Sequence, residues 1–190
     1  MSRGDREALP PFVPWRLSNN AAELRKKEGV MKAKDKRVIE LLNAVLTAEL
    51  TAINQYFVHA EMCDHWGYER LHEVVRKHAI DEMRHAEALI ERVLFLEGVP
   101  NVQRLGNIRI GERVSEQLKV DLALEMEAIP RLNGGIPLCT EVGDHNTRHL
   151  LEEILESEEQ HVDWLEAQLD LIEQVGEQNY LAQQIKDDEG

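Results

Sequence analysis

The chain has 190 residues, of which 43% are hydrophobic, and this is long enough for one domain with a substantial core. Its formal net charge of -14 argues against nucleic acid as a partner, because the phosphate backbone attracts a basic surface. No run of 18 apolar residues occurs and the amino terminus lacks the apolar region of a secretory signal, so we expect a cytoplasmic protein that does not enter a membrane.

Residues 1–30 differ from the rest of the chain. Pro10, Pro11 and Pro14 prevent a long helix there, and the mixed charges follow no lasting apolar period. We predict an N-terminal extension over 1–30 and a single helical domain over 31–190.

The first predicted helix begins at Asp35 and ends near Gly67, after His65. Its apolar stripe continues by one turn onto Glu49, and a charged residue on an apolar face is typical of a functional site. The stripe consists of Val38, Leu41, Leu42, Val45 and Leu46. A second helix is predicted from Tyr68 to Glu97, because Gly98 and Pro100 form a common helix end.

A long crossover is predicted over 100–111, before a third helix that begins near Glu112. The stripe of that helix again leads onto a glutamate, Glu125, and the stretch from Pro130 to Pro137 is expected to kink or interrupt it. A fourth helix is predicted over 144–175, and a short terminal helix over 179–186. This order of two helix pairs joined by a crossover is typical of an all-α four-helix bundle.

Two Glu-x-x-His tetrads carry the strongest functional signal. Each has a lone glutamate 33 residues before it, and the repeated set is Glu49, Glu82 and His85, then Glu125, Glu158 and His161. Residues three apart share a helix face, so each tetrad directs a carboxylate and an imidazole to one point. Four carboxylates with two imidazoles suit a pair of iron or manganese ions, and the lack of thiolates argues against structural zinc.

Chance explains part of this pattern. With 26 glutamates in 190 residues, about one Glu-x-x-His tetrad is expected by accident, and three occur. The third runs from Glu69 to His72, and Lys36 stands where its lone glutamate would be. We interpret it as a solvated helical pair.

The chain from Met31 onward resembles bacterioferritin. The resemblance rests on the segments ELTAINQYF at 49–57, IDEMRHAE at 80–87, LFLEG at 94–98, DLALE at 121–125 and HVDWLE at 161–166. It implies a ferritin-like four-helix bundle with a short C-terminal helix, and the family's di-iron ligands fall on Glu49, Glu82, His85, Glu125, Glu158 and His161. In that reading Glu82 and Glu158 bridge or cap the ions.

The same resemblance implies a function and an assembly. A bacterioferritin is a ferroxidase: it oxidises Fe(II) with oxygen or peroxide and stores the ferric product in a shell of twenty-four identical subunits. A ferredoxin-type protein is a candidate reductant for iron release. Carboxylate ligands favour the harder Fe(III) state, which gives an acidic site a chemical reason to promote the oxidation.

Haem b, held between two subunits by one methionine from each, is a further implication, and the matching residue is Met83. Met83 lies about 100° around the helix from Glu82 and therefore points away from the ligand face. From the residues alone, interface packing is the alternative for this flexible thioether. Tyr56, seven residues after Glu49, is either a hydrogen-bond donor or electron source for the site or an ordinary buried tyrosine.

One departure from the family pattern concerns an inner-surface iron site, which some members build from a histidine and an aspartate. The matching positions here are Lys77 and Asp81, so only the aspartate is present. Asp81 would then orient a neighbouring ligand, and His78 is a possible substitute.

Other functions remain open at this point. A di-iron or di-manganese oxidoreductase without storage would use the same six ligands, whereas a haem-binding electron carrier would need Met83 but not the six. A DNA-protecting mini-ferritin is disfavoured, because the chain has no basic tail and carries a full ligand set by itself.

Overall fold

The computed structural model describes residues 35–186, where the regular secondary structure is all α-helix. The predicted extension over 1–30 lies outside the described residues. The all-helical prediction is confirmed, with four long helices and one short one: α1 Lys36–His65, α2 Glu69–Phe95, α3 Val114–Val142, α4 His145–Val175 and α5 Glu177–Ala182.

The helix ends follow local chemistry. The Asp35 side chain caps α1 by accepting a hydrogen bond from the Arg37 backbone N–H at 2.9 Å. Asp144 caps α4 in the same way, accepting from the Thr147 N–H at 3.1 Å. Between α3 and α4, Gly143 adopts a φ of 73°, a left-handed conformation that glycine takes without steric cost.

The structure bears on two further predictions about the helices. Helix α3 runs through Pro130 and Pro137, so the predicted interruption is wrong, whereas the predicted kink stays a prediction. Its second half is held by tertiary packing, because Leu132 and Cys139 are buried and a Cβ at Gly135 would lie 2.8 Å from the Leu41 side chain. The short C-terminal helix begins and ends earlier than predicted.

The bundle consists of two helical hairpins, α1 with α2 and α3 with α4. Apolar side chains fill it on both sides of a central polar layer. One cluster, which includes Leu42, Leu46 and Leu89, lies at the end where α1 begins. The others lie around Tyr56 and Leu165. The layer between these clusters contains the four glutamates of the repeated set, Glu49, Glu82, Glu125 and Glu158. The fold therefore surrounds these carboxylates with apolar packing.

The crossover between the hairpins is held along one face of α1. Four α1 side chains, separated by four or eight residues, form hydrogen bonds with the crossover backbone. Residues at this spacing are neighbours on a helix face. These bonds join Asn43 to Val99 O and Asn101 N, Thr51 to Gly106 N, Gln55 to Arg109 N and His59 to Gly111 N. The crossover therefore lies in a fixed position against the bundle.

Gly111 lies against the backbone of the first turn of α3. A Cβ at this position would lie 2.3 Å from the Gln117 backbone nitrogen, so only glycine fits. Within the described range, no helix is both long enough and apolar enough to cross a membrane.

Candidate metal centre

All six residues of the repeated set lie together at the centre of the bundle. Helices α1 and α3 each contribute one glutamate, and α2 and α4 each contribute a glutamate and a histidine one turn later. The potential ligand atoms form two groups, each within 4.8 Å: Glu49, Glu82, His85 and Glu158 in the first, and Glu82, Glu125, Glu158 and His161 in the second. Glu82 and Glu158 belong to both.

The shared carboxylates divide their oxygens between the two histidines. His85 Nδ1 lies 3.1 Å from Glu82 Oε2 and 3.4 Å from Glu158 Oε1. His161 Nδ1 lies 3.0 Å from Glu82 Oε1 and 3.3 Å from Glu158 Oε2. One oxygen of each carboxylate thus faces each histidine, which is the arrangement of two bridging ligands.

The other two glutamates each belong to one group only. Glu49 Oε2 lies 3.3 Å from His85 Nδ1, and Glu125 Oε1 lies 3.8 Å from His161 Nδ1. Tyr56, which is fully buried, donates a hydrogen bond from its hydroxyl to Glu125. The Glu125 carboxylate is therefore oriented by a neighbour from α1.

Burial makes this group of charges unfavourable without a cation. The four glutamates are each 1–2% exposed. Glu82 Oε1, Glu158 Oε2 and His161 Nδ1 are buried and have no partner with hydrogen-bond geometry among the described residues. Unpaired charge at such depth is very costly, whereas a pair of divalent ions would satisfy these atoms. The donor set is that of a di-iron site, and the residues present fit it.

The electrostatics point the same way. Burial, helped by the neighbouring carboxylates, raises the pKa of both Glu49 and Glu125 well above the ordinary value. Burial alone would lower the pKa of His85 and His161, but contacts with the glutamates outweigh it and raise both pKa values to about 12. Positive charge is thus strongly favoured at the centre of this layer.

Other candidate residues lie elsewhere. His72 is in contact with the Ala60 carbonyl, 3.0 Å from Nδ1, and neither it nor Glu69 belongs to either metal-binding group of the described residues. Asp81 pairs with Arg84 at 2.7 Å and lies 3.9 Å from Lys77 Nζ. Among the described residues, the ion pairs of Asp81 are thus with Arg84 and Lys77 and not with one of the six residues.

Met83 lies on the outside of the bundle, where it is 46% exposed, next to the buried Glu82. Phe57 on the neighbouring α1 is 49% exposed. Met83 and Phe57 are therefore both accessible on the outer surface of the α1–α2 hairpin.

Sequence reasoning missed the surroundings of His161. Its imidazole stacks on His78, with ring centroids 4.3 Å apart and planes inclined by 29°. Burial is the main cause that lowers the pKa of His78 to about 3, and the nearby charge of His161 contributes in the same direction. The His78 ring is therefore neutral near neutral pH. The available signal was spacing: His78 precedes Glu82 by one helical turn, on the same face.

Comparison with known proteins agrees with this architecture. Residues 39–175 match the model of the ferritin-like domain family. Over 149 residues, the chain is 50% identical to a bacterioferritin of Mycobacterium leprae and 49% identical to bacterioferritin BfrA of Mycobacterium tuberculosis, covering 78% of this chain and 94% of each relative. It is 50% identical over 152 residues to a bacterioferritin of Streptomyces coelicolor, covering 80% of this chain and 91% of that relative.

Proposed function

The chain belongs to the bacterioferritin family, and on that basis we propose that it is an iron-storage protein with ferroxidase activity. The observation that carries the proposal is the buried layer of four glutamates and two histidines, with one oxygen of Glu82 and of Glu158 facing each histidine. A site with this donor set takes two iron ions and supplies electron transfer to oxygen or peroxide.

The six residues have distinct roles in this proposal. Glu49 and His85 hold one Fe(II) and Glu125 and His161 the other, while Glu82 and Glu158 bind both. The substrate is two Fe(II) ions, which are oxidised to two Fe(III) ions. Their two electrons reduce one oxygen molecule, which takes up two protons to become hydrogen peroxide, or one hydrogen peroxide molecule, which takes up two protons to become two water molecules. Hard carboxylate oxygens bind Fe(III) better than Fe(II), so the ligands favour the oxidised product.

The surrounding residues prepare the ligands. Tyr56 orients Glu125 through its hydroxyl and lies edge-on to His161, with ring centroids 6.3 Å apart. The apolar clusters on both sides of the layer keep bulk water from the carboxylates. The chain therefore presents a nearly formed site to the incoming ions, which reduces the cost of ordering ligands on binding.

Two further parts of the proposal come from the family. Haem b is bound between two subunits, with Met83 of each as the axial ligand, and twenty-four identical chains form the shell that holds the ferric mineral. The exposed thioether of Met83 supports the first part. A ferredoxin-type protein is the proposed reductant for iron release, and the cytoplasm is the proposed location.

Iron loading tests the storage function against an oxidoreductase with the same six ligands. The purified full-length protein is given Fe(II) in air, in increments well beyond two ions per chain, and soluble iron is measured after gel filtration. We expect the iron to remain with the protein at many times that ratio. Retention of only about two ions per chain would favour an oxidoreductase without storage.

A further inference from the structure

The two histidines of the metal centre have different surroundings. His161 is 6% exposed and stacks face to face on His78. His85 is 15% exposed and makes no ring contact with another aromatic side chain or histidine in the described part of the chain. One imidazole is therefore confined by a flat neighbour, whereas the contacts of the other in the described part of the chain are with the carboxylates of Glu49, Glu82 and Glu158.

The ring of His78 is itself firmly held. Trp164 packs against it edge-on at 5.0 Å with planes at 90°, and Tyr56 does so at 5.6 Å and 79°. His78 is 6% exposed, and its Nδ1 has no hydrogen-bond partner among the described residues. A buried nitrogen without a hydrogen-bond partner destabilises the fold. The favourable contribution of the His78 side chain therefore comes from the packing of its ring against its neighbours.

The sequence shows the same asymmetry between the two halves. Each residue of the second half-site follows its counterpart in the first by 76 positions, as His161 follows His85. The same offset pairs the three rings around His161 with aliphatic residues: His78 with Ile154, Tyr56 with Leu132 and Trp164 with Ala88. The aromatic surroundings therefore belong to one half of an otherwise repeated site.

From this asymmetry we infer that His78 is a positioning residue, which holds the His161 ring with Nδ1 directed at Glu82 and Glu158. The half-site of Glu125 and His161 consequently takes the first metal ion, and the half-site of Glu49 and His85 takes the second. This inference rests on the proposed di-metal function and adds an order of loading to it.

The physical argument concerns the orientation of the imidazole before metal arrives. A free ring rotates about its Cβ–Cγ bond, and binding must then stop that rotation at an entropic cost. Both Nδ1 atoms already lie near Glu82, at 3.0 Å for His161 and 3.1 Å for His85, and the difference is the stack on His78, which restricts rotation of the His161 ring. Aromatic contacts of this kind correspond to roughly a threefold to tenfold change in affinity.

Cobalt binding to the metal-free, full-length protein provides the test. Co(II) is a spectroscopic probe that binds without being oxidised by air under mild conditions, and its visible absorption and binding isotherm report each step separately. For the wild type we expect two ions per chain in two distinguishable steps. His85→Ala should leave the tighter step intact, and His161→Ala should remove it.

Variants of His78 then separate packing from other roles. His78→Ala should weaken the tighter step by about threefold to tenfold and leave the weaker step nearly unchanged. His78→Phe keeps a flat ring without nitrogens, so it should restore most of the affinity. The control is His72→Ala on the same helix, because His72 has its contact with the Ala60 carbonyl instead of with the metal centre.

Crystal structures of the metal-free variants give a second measurement. We expect one orientation of the His161 ring in the wild type and in His78→Phe, and more than one in His78→Ala. If His78→Ala does not fold, His78→Leu replaces it, since leucine fills the space without a flat face.

Three results would overturn the inference: equal weakening of both steps in His78→Ala, no weakening of either, or a His78→Phe variant as weak as His78→Ala. Failure of the proposed function would look different, because the wild type would then bind fewer than two cobalt ions per chain.

Discussion

His59 Nδ1 lies 2.9 Å from Asp121 Oδ1 inside the bundle, and both side chains are only 1% exposed. The other ring nitrogen of His59 accepts a hydrogen bond from the Gly111 N–H at 3.1 Å, so Nδ1 is the nitrogen that donates to Asp121. Gln55 also donates to Asp121 Oδ1, at 2.8 Å. This network joins α1, α3 and the crossover one helical turn from Glu125.

The first prediction follows from that network. Asp121→Ala leaves the buried His59 Nδ1 without its acceptor and removes one of the two acceptors of the Gln55 amide, the other being the Val120 carbonyl. We therefore expect it to cost roughly 2–4 kcal/mol of stability. Differential scanning calorimetry of the metal-free protein should show a clearly lower Tm. Asp170→Ala, which changes an exposed aspartate on α4, is the control. Equal Tm values for both variants would contradict a structural role for the network.

A second prediction concerns the glutamates that each belong to one metal group. Replacing both Glu49 and Glu125 by alanine should abolish rapid Fe(II) oxidation and leave the bundle folded, because it removes ligands and relieves carboxylate repulsion in the metal-free site. Stopped-flow absorbance measures oxidation, and circular dichroism measures helix content. The control replaces the exposed Glu87 and Glu159. An oxidation rate of wild-type size in the ligand variant would reject the assignment.

Haem binding gives a third prediction. Met83→Leu should lose haem and keep ferroxidase activity, since leucine preserves the packing but has no sulfur to coordinate iron. The ratio of haem absorbance to protein after reconstitution is the measurement. Met126→Leu changes a methionine of similar exposure, 53%, on α3 and should retain haem. Unchanged haem absorbance in Met83→Leu would exclude Met83 as the axial ligand.

The fourth prediction is a dependence on pH. The folded pKa values of His85 and His161 are raised, so their stabilisation of the metal-free protein is complete below the unfolded value of about 6.5 and is lost as pH rises toward 12. The raised pKa values of Glu49 and Glu125 act in the same direction. The metal-free Tm should therefore fall from about pH 6 to pH 8.

The stabilisation that metal binding provides should increase with pH, because the ions bind deprotonated ligands. The rise in Tm that Co(II) produces should be larger at about pH 8 than at about pH 6. The double alanine variant of Glu49 and Glu125 serves as the control and should show a much smaller rise at either pH. A metal-induced rise that shrinks with increasing pH would contradict this electrostatic account.

A fifth prediction concerns residues 1–30, which lie outside the described residues. Deleting them should leave assembly and iron oxidation intact, because the segment contains none of the six proposed ligands and not Met83. The family match over 39–175 also lies wholly beyond it. Light scattering and oxidation rates at equal metal occupancy are the measurements. A truncated protein that fails to assemble, or that oxidises iron much more slowly, would show that the segment has a role in the shell.

Much of the fold was predictable because its signals are local. The Asp35 cap, the glycines after α1 and α4 and the apolar stripes identify the four long helices to within a few residues. The effect of Pro130 and Pro137 was not predictable in this way. Whether a helix continues past a proline depends on packing against other helices, and the sequence does not display that packing.

The metal centre was also predictable only in part. The spacing of Glu49, Glu82 and His85, repeated in the second half, indicates that these side chains share one layer of the bundle. It does not indicate which carboxylate oxygen faces which histidine, because that depends on side-chain rotamers set by neighbours. Nor does it reveal the stack of His78 on His161, since a contact between α2 and α4 depends on how the hairpins dock.

Each of the two metal-binding groups contains residues from both hairpins, since Glu82 lies on α2 and Glu158 lies on α4. A chain whose hairpins have not docked therefore has at most three of the four residues of either group, and each hairpin by itself lacks one of the two shared carboxylates. The placement of the shared carboxylates thus makes completion of both metal-binding groups depend on docking of the two hairpins.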